Sequence, residues 1–79
     1  MGLINMIKLA NDYNKAKKLL REKKPNIDKM VGVYKSLKAN LDKFKEFYNE
    51  IDDGIRAFIK EGRELMSAIK SIIGKKGDE

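Results

Sequence analysis

The chain has 79 residues and a formal net charge of +6, with 15 lysines and three arginines but no cysteine, histidine or tryptophan. The lack of cysteine excludes disulfides and cysteine-ligated zinc, and the lack of histidine removes the commonest general base and transition-metal ligand. With 42% hydrophobic and 38% charged residues, the chain is too apolar for a disordered segment, and its composition approaches that of long helices and coiled coils. We therefore expect a single helical domain over residues 1–79 that binds no cofactor or metal ion.

The first predicted element is a helix over residues 3–23, in which apolar side chains recur every three or four positions. Its second half is basic, which suits the negative C-terminal end of a helix dipole. An apolar helix face beside a basic cluster is also how interfacial helices bind anionic lipid. The candidate contacts to an anionic surface are Lys15, Lys17, Lys18, Arg21, Lys23 and Lys24.

A turn over residues 24–26 is predicted to follow the first helix. Pro25 has no backbone N–H, and its ring pushes Lys24 out of the helical region of backbone space. Asn26 is a good N-cap for the next helix, because its side chain can accept a hydrogen bond from a free backbone N–H of the first turn. The sequence therefore predicts that a second helix begins at about Ile27.

The rest of the chain is compatible with two arrangements. Residues 49–54 (Asn-Glu-Ile-Asp-Asp-Gly) include side chains that are typical of turns, and a turn there would give a compact three-helix bundle. The apolar register nevertheless resumes at Ile55 without a slip, and a glycine inside a helix, here Gly54, costs only about 1 kcal/mol. We therefore favour one helix over residues 27–73, about 70 Å long, with a frayed tail over residues 74–79. The preferred fold is an all-α helical hairpin of a short first helix and a long, coiled-coil-type second helix.

The strongest pattern in the sequence is an apolar register that runs from Met6 to Ile72 in steps of three and four residues. Of its twenty positions only Lys23 and Gly62 are not apolar, and such spacing is typical of helices that wrap around one another. Gly62 either lets another helix approach closely or is a tolerated cost in the helix. In the second helix the register defines an association seam. Its residues are Tyr34, Leu37, Leu41, Phe44, Tyr48, Ile51, Ile55, Phe58, Leu65, Ile69 and Ile72.

Apolar residues beside the association seam, among them Val31, Met66 and Ile73, widen the apolar face. A wide face suits bundles of three or four helices, whereas the seam of a two-stranded coiled coil needs only two positions per heptad. If the second helix is continuous, the first helix covers only about half of it. A large apolar surface would then remain exposed, which usually marks a surface that binds a partner.

The polar residues form no recognisable catalytic site. The serines Ser36, Ser67 and Ser71 have no histidine or cysteine to act with, and no Gly-rich loop follows a strand to bind phosphate. The acidic residues around Asp52 lack the spacing of a calcium-binding loop. No stretch of about 18 apolar residues is available to span a membrane. We therefore expect a non-enzymatic, cytoplasmic protein, with attachment to a membrane surface as the alternative location.

The favoured function is that of a structural or adaptor protein that acts through helix association. It would form a homo-oligomer, from dimer to tetramer, or bind another helical protein. The alternative is a peripheral membrane-surface protein that uses basic amphipathic helices. Nucleic-acid binding through the first helix is the least favoured, because the cations are mostly lysines and no readout element accompanies them.

Overall fold

The computed structural model describes the backbone of residues 2–47 and 52–77, and the side chains of residues 4–46 and 52–75. Within these residues there are three helices, α1 (Gly2–Arg21), α2 (Ile27–Phe47) and α3 (Asp53–Gly77), and no β-strand. Each helix packs against the other two, in a bundle that measures 41 × 19 × 18 Å. The predicted all-α fold class is confirmed, and the packing fits the compact three-helix bundle, which was the alternative to the hairpin.

The preferred arrangement, a continuous helix over residues 27–73, is wrong. Asp52 caps the start of α3, because its Oδ1 accepts hydrogen bonds from the backbone N–H groups of Gly54 at 2.8 Å and Ile55 at 3.1 Å. An N-cap residue has a non-helical backbone, so a helix cannot continue through it. A helix of about 70 Å would also exceed the 41 Å length of the bundle. Residues 49–51 of the predicted turn lie outside the described part of the chain.

The apolar register continues from α2 into α3 because both helices face the same core. Leu41 and Phe44 of α2 are buried in this core, and Ile55 and Phe58 pack against it from α3. Each helix of a bundle directs one apolar stripe inward. A turn between two such helices can therefore preserve the apolar phase as well as a continuous helix does, and the phase does not distinguish the two arrangements.

The connection between α1 and α2 is short and locally capped. α1 ends at Arg21, before the predicted residue 23, and the backbone N–H of Glu22 donates to the carbonyl of Leu19 at 3.3 Å in a tightened last turn. Asn26 is confirmed as the N-cap of α2, because its Oδ1 accepts a hydrogen bond from the backbone N–H of Lys29 at 3.1 Å.

The third helix is longer than the sequence suggests. α3 continues to Gly77, four residues beyond the predicted helix end at residue 73. Ile72 and Ile73 pack against the core and hold the last turns of the helix in place. Lys75 also lies near the C-terminal end of α3, where a cation interacts favourably with the helix dipole.

The helices alternate in direction, with α1 and α3 parallel to each other and α2 antiparallel to both. Tyr13 of α1 lies beside Phe58 of α3, and Lys17, one turn further along α1, pairs with Glu61 further along α3. Phe44, near the end of α2, meets Phe58 near the start of α3. The core between them consists largely of the predicted apolar register. Its buried residues are Leu9, Tyr13, Ala16, Leu19, Met30, Leu37, Leu41, Phe44, Ile59, Leu65 and Ile69.

Three aromatic rings join the helices, and a glycine makes room for one of them. The ring centroids of Tyr13 and Phe58 are 4.8 Å apart, and those of Phe44 and Phe58 are 5.4 Å apart. Gly62 of α3 faces the Tyr13 ring. A Cβ atom at Gly62 would overlap the Tyr13 hydroxyl and would lie 3.0 Å from Cε1 and Cζ of that ring. Of the two explanations for Gly62, close helix approach is therefore confirmed, and the approaching helix is α1 of the same chain.

The Tyr13 hydroxyl is enclosed between α1 and α3. It donates a hydrogen bond to the backbone carbonyl of Phe58 at 2.7 Å, and the residue is only 2% exposed. Burial and, to a smaller extent, the nearby Glu61 carboxylate raise the pKa of Tyr13 from 10.0 to about 12, although a backbone hydrogen bond at Gly62 acts in the opposite direction. The neutral phenol is therefore part of the folded state.

Alkaline pH is expected to destabilise the fold through Tyr13. The pKa of the phenol is 10.0 in the unfolded chain and about 12 in the fold, so its stabilisation is complete below pH 10 and is lost as the pH rises through 12. Relative to a Tyr13→Phe variant, the protein should lose about 2 kcal/mol of unfolding free energy between these two pH values. Urea unfolding of both proteins from neutral pH to pH 12 measures the difference. If the unfolding free energies of both proteins changed equally with pH, the result would contradict this prediction.

Candidate partner-binding surfaces

Much of the predicted association seam lies inside the bundle. Five of its side chains are buried in the core, namely Leu37, Leu41, Phe44, Leu65 and Ile69. Four are half-buried, namely Tyr34, Ile55, Phe58 and Ile72. The side chains of Tyr48 and Ile51 lie outside the described part of the chain. A buried residue cannot contact a second molecule while the bundle is closed, so the half-buried residues are the ones available to a partner. Association itself stays a prediction.

One of these half-buried residues lies in a groove between α2 and α3. The apolar residues that line it are Tyr34 and Val31 of α2 and Ile73 of α3, and they are called the apolar floor below. The groove has a volume of about 350 Å³. Val31 and Ile73 belong to the apolar residues that widen the predicted face. This surface, called the α2–α3 groove below, remains open although the core of the bundle is complete.

Three exposed lysines border the α2–α3 groove, with Lys35 and Lys38 on α2 and Lys70 on α3. The sequence interpretation did not identify them as site residues. The sequence did hold one indication that these lysines share a surface with the apolar residues. Lys35 and Lys38 follow Tyr34 closely, and Lys70 precedes Ile73 by three positions. That indication becomes meaningful only when the turn places α2 and α3 side by side, which brings the lysines of both helices to one groove.

The six cations predicted to contact an anionic surface do not form one patch. Lys17 faces α3, where its Nζ lies 2.6 Å from Oε1 of Glu61. Lys15 and Lys18 line a second groove, between α1 and α2, with a volume of about 470 Å³. The remaining three are exposed at the end of α1 and in the following turn, namely Arg21, Lys23 and Lys24. The fold thus directs Lys17 toward α3 and places Lys15 and Lys18 in the groove between α1 and α2.

The solvent-facing side of α1 carries two apolar residues. Ile4 and Ile7 are each 55% exposed, and they lie in the first turns of the helix. Lys8, Lys15 and Lys18 follow Ile4 at helical spacing, so they lie along the same exposed side. The exposed side of α1 is therefore apolar in its first turns and basic further along the helix.

A polar cluster connects α1 and α2, and two of its residues, Asp12 and Ser36, line the groove between these helices. Asp12 is only 6% exposed, and its Oδ2 accepts hydrogen bonds from Ser36 Oγ at 2.7 Å and from Asn40 Nδ2 at 2.9 Å. Asn40 Nδ2 also lies 3.3 Å from Ser36 Oγ. Among the described residues, no buried side-chain nitrogen or oxygen lacks a hydrogen-bond partner. The carboxylate is therefore satisfied by the two donors of α2, and the cluster has a structural role.

Replacing Asp12 with alanine is expected to lower the free energy of unfolding by about 1–3 kcal/mol, because Ser36 and Asn40 are left without their acceptor. A triple variant that also carries Ser36→Ala and Asn40→Ala should lose less than the sum of the three single variants, since it leaves no unsatisfied group. Urea denaturation of the unmodified protein, the three single variants and the triple variant gives both quantities. Additive losses would show that the three side chains do not act as one cluster.

These features define the class of protein as a small up-down-up three-helix bundle with open grooves on both sides of α2. Comparison with protein-family models, with curated proteins and with solved structures finds no match to the chain. In the described part of the chain, no helix is both long enough and apolar enough to cross a membrane.

Proposed function

We propose that this protein is a non-enzymatic adaptor that binds one helix of a partner protein in the α2–α3 groove. The observation that supports the proposal is the apolar floor of Val31, Tyr34 and Ile73, which stays open after the bundle has closed its core. An amphipathic helix in such a groove buries its apolar face and completes a four-helix bundle. The wide apolar face of the sequence, which suits bundles of three or four helices, supports the same arrangement.

We expect the bundle to fold without the partner. Its core contains residues from all three helices, and the fully buried Leu9, Leu37 and Ile69 represent one helix each. The sequence-based reason to expect association was a long helix with about half of its length uncovered, and that helix is not formed. We therefore expect a mass of 9.1 kDa by light scattering at all concentrations of the isolated protein. A concentration-dependent larger mass would favour the homo-oligomer instead.

The adaptor function is tested with a neutral amphipathic peptide that carries leucines at i, i+3, i+4 and i+7 spacing. In a nuclear magnetic resonance titration, the amide signals of Val31, Tyr34 and Ile73 should shift. Ile73→Glu should abolish binding, because it places a charge on the apolar floor. Ile7→Glu, an exposed change on α1, is the matched control and should bind as the unmodified protein does. Shifts spread evenly over the chain, or unchanged binding by Ile73→Glu, would contradict the proposal.

A second candidate function is binding to an anionic membrane surface through the exposed side of α1. The support is the joint exposure of Ile4 and Ile7 beside Lys8, Lys15 and Lys18. Apolar residues next to cations favour association with the headgroup region of anionic lipids.

The membrane function is tested by cosedimentation with phosphatidylserine vesicles at low salt. The paired substitution Ile4→Glu and Ile7→Glu should prevent binding, whereas Ile73→Glu should not affect it. Phosphatidylcholine vesicles, which carry no net charge, should bind weakly. No cosedimentation with phosphatidylserine would exclude this candidate function, and it would leave the adaptor function unaffected.

A further inference from the structure

We infer that the helix bound in the α2–α3 groove is acidic, with carboxylates on both sides of its apolar stripe. The inference rests on the proposed adaptor function and specifies the chemistry of the partner. Its basis is the position of the three lysines, since Lys35 and Lys38 lie on the α2 wall and Lys70 lies on the α3 wall. A helix that lies between α2 and α3 on the apolar floor would therefore meet lysines of both helices.

The lysines of the α2–α3 groove have no acidic partner among the residues that the structure describes. Of the described residues, six line the groove, and none of these six is acidic. Among the described residues, Lys35, Lys38 and Lys70 form no ion pair with an aspartate or glutamate. Their charges are therefore available to a partner, and carboxylates on that partner would be electrostatically complementary.

The groove between α1 and α2 provides an internal comparison. It also carries three lysines, namely Lys15, Lys18 and Lys29, but it contains the acidic residues Asp12 and Glu22 as well. A partner in that groove would meet charges of both signs. The α2–α3 groove presents one sign only and has an apolar floor, so it is the groove that selects for an acidic amphipathic helix.

A second copy of this chain is a poor occupant of the α2–α3 groove. In a two-fold symmetric dimer the same surface patch is used by both chains, so Lys35, Lys38 and Lys70 of one copy would face those of the other. Each chain also carries a net charge of +6, which adds a general repulsion. A phosphate-rich polymer or a lipid headgroup would match the lysines but not the apolar floor of Val31, Tyr34 and Ile73.

The test uses three amphipathic peptides with identical leucine positions and with glutamate, glutamine or lysine at the flanking positions. The glutamate peptide should bind roughly tenfold more tightly than the glutamine peptide at low salt, and the lysine peptide should bind more weakly than both, since three exposed ion pairs correspond to about this factor. The preference should shrink when salt is raised above about 0.1 M, where the screening length is roughly 10 Å. Fluorescence anisotropy of the labelled peptides gives the dissociation constants.

Two variants with the same net charge separate the groove from the charge of the whole protein. One carries Lys35→Glu, Lys38→Glu and Lys70→Glu, and the other carries Lys15→Glu, Lys18→Glu and Lys29→Glu. Each changes the net charge by six, from +6 to 0. All six lysines are exposed, so both variants should remain folded, which circular dichroism verifies. The first variant should prefer the lysine peptide, whereas the second should retain the preference for the glutamate peptide.

The outcomes distinguish the two proposals. Equal affinities for the three peptides, or an equal loss of preference in both variants, would overturn the inference of an acidic partner and leave the adaptor function standing. If none of the peptides binds, including the neutral glutamine peptide, the adaptor function itself is wrong. A dimer whose mass returns to that of the monomer in Ile73→Glu would show that a second copy occupies the groove, and this result would also overturn the inference.

Discussion

Replacing Phe44 with alanine is expected to lower the free energy of unfolding by about 3–5 kcal/mol. Phe44 is fully buried, and its ring contacts Phe58, which in turn contacts Tyr13. The substitution therefore leaves a cavity at the point where all three helices meet. The total stability of a chain of this length is roughly 4–12 kcal/mol, so this loss is about a quarter of the total or more. Urea denaturation followed by circular dichroism at low temperature measures the change.

Ile7→Ala is the control for the Phe44 variant. Ile7 is 55% exposed, so its truncation removes apolar surface that is already in contact with water. The free energy of unfolding should change by no more than about 0.5 kcal/mol. A similar loss in both variants, or a loss below about 1 kcal/mol for Phe44→Ala, would mean that Phe44 is not part of a packed core.

Gly62→Ala is expected to be the second most damaging of these changes, although alanine is the better helix former by about 1 kcal/mol. The new Cβ would overlap the Tyr13 hydroxyl. Tyr13 cannot move aside easily, because it is buried and donates a hydrogen bond to the carbonyl of Phe58. The displacement costs about 1–3 kcal/mol in packing and a further 0.5–1.5 kcal/mol for the hydrogen bond, so a net loss of roughly 1–3 kcal/mol is expected.

A double-mutant cycle with Tyr13→Phe identifies the cause of that loss. Phenylalanine lacks the hydroxyl that the Gly62→Ala side chain would overlap, although its ring atoms still lie close. Gly62→Ala should therefore cost about 0.5–3 kcal/mol less in the Tyr13→Phe background than in the unmodified protein. Gly32→Ala is a useful reference, because a Cβ atom at Gly32 meets nothing within 4 Å. That variant should be slightly more stable than the unmodified protein, and equal effects at the two glycines would contradict the steric explanation.

The sequence predicted the helical class and the apolar positions that form most of the core, because both depend on apolar spacing along each helix. Leu9, Leu37 and Ile69 are examples of register positions that are fully buried in the structure. The break between α2 and α3 was predicted less well. Asp52 acts as an N-cap because its backbone is not helical and its side chain accepts a hydrogen bond from the first turn of α3. An aspartate with the same apolar neighbours in the sequence can also lie on the exposed face of a continuous helix, so the sequence alone does not distinguish the two cases.

The candidate site was harder to predict than the core. Tyr34 and Ile73 were visible as apolar positions, but Lys38 and Lys70 are 32 positions apart in the sequence and share a groove only in the folded chain. Nothing in the local pattern specifies which residues of α2 and α3 lie opposite each other, because the antiparallel pairing depends on the position of the turn. The same reasoning applies to the separation of Lys17 from Lys15 and Lys18, which depends on the side of α1 that faces α3.

The hydrogen bonds of Asp12 also determine how α1 and α2 are aligned along their length. Both helices repeat their apolar residues in heptads, so sliding one past the other by seven residues would again bring apolar side chains together. Such a shift would carry the carboxylate away from Ser36 and Asn40, and it would leave three polar groups without their partners. In the native alignment, the hydrogen bonds of Asp12 and the apolar contacts between α1 and α2 form at the same time. Apolar packing alone would accept several alignments, and three polar side chains select one.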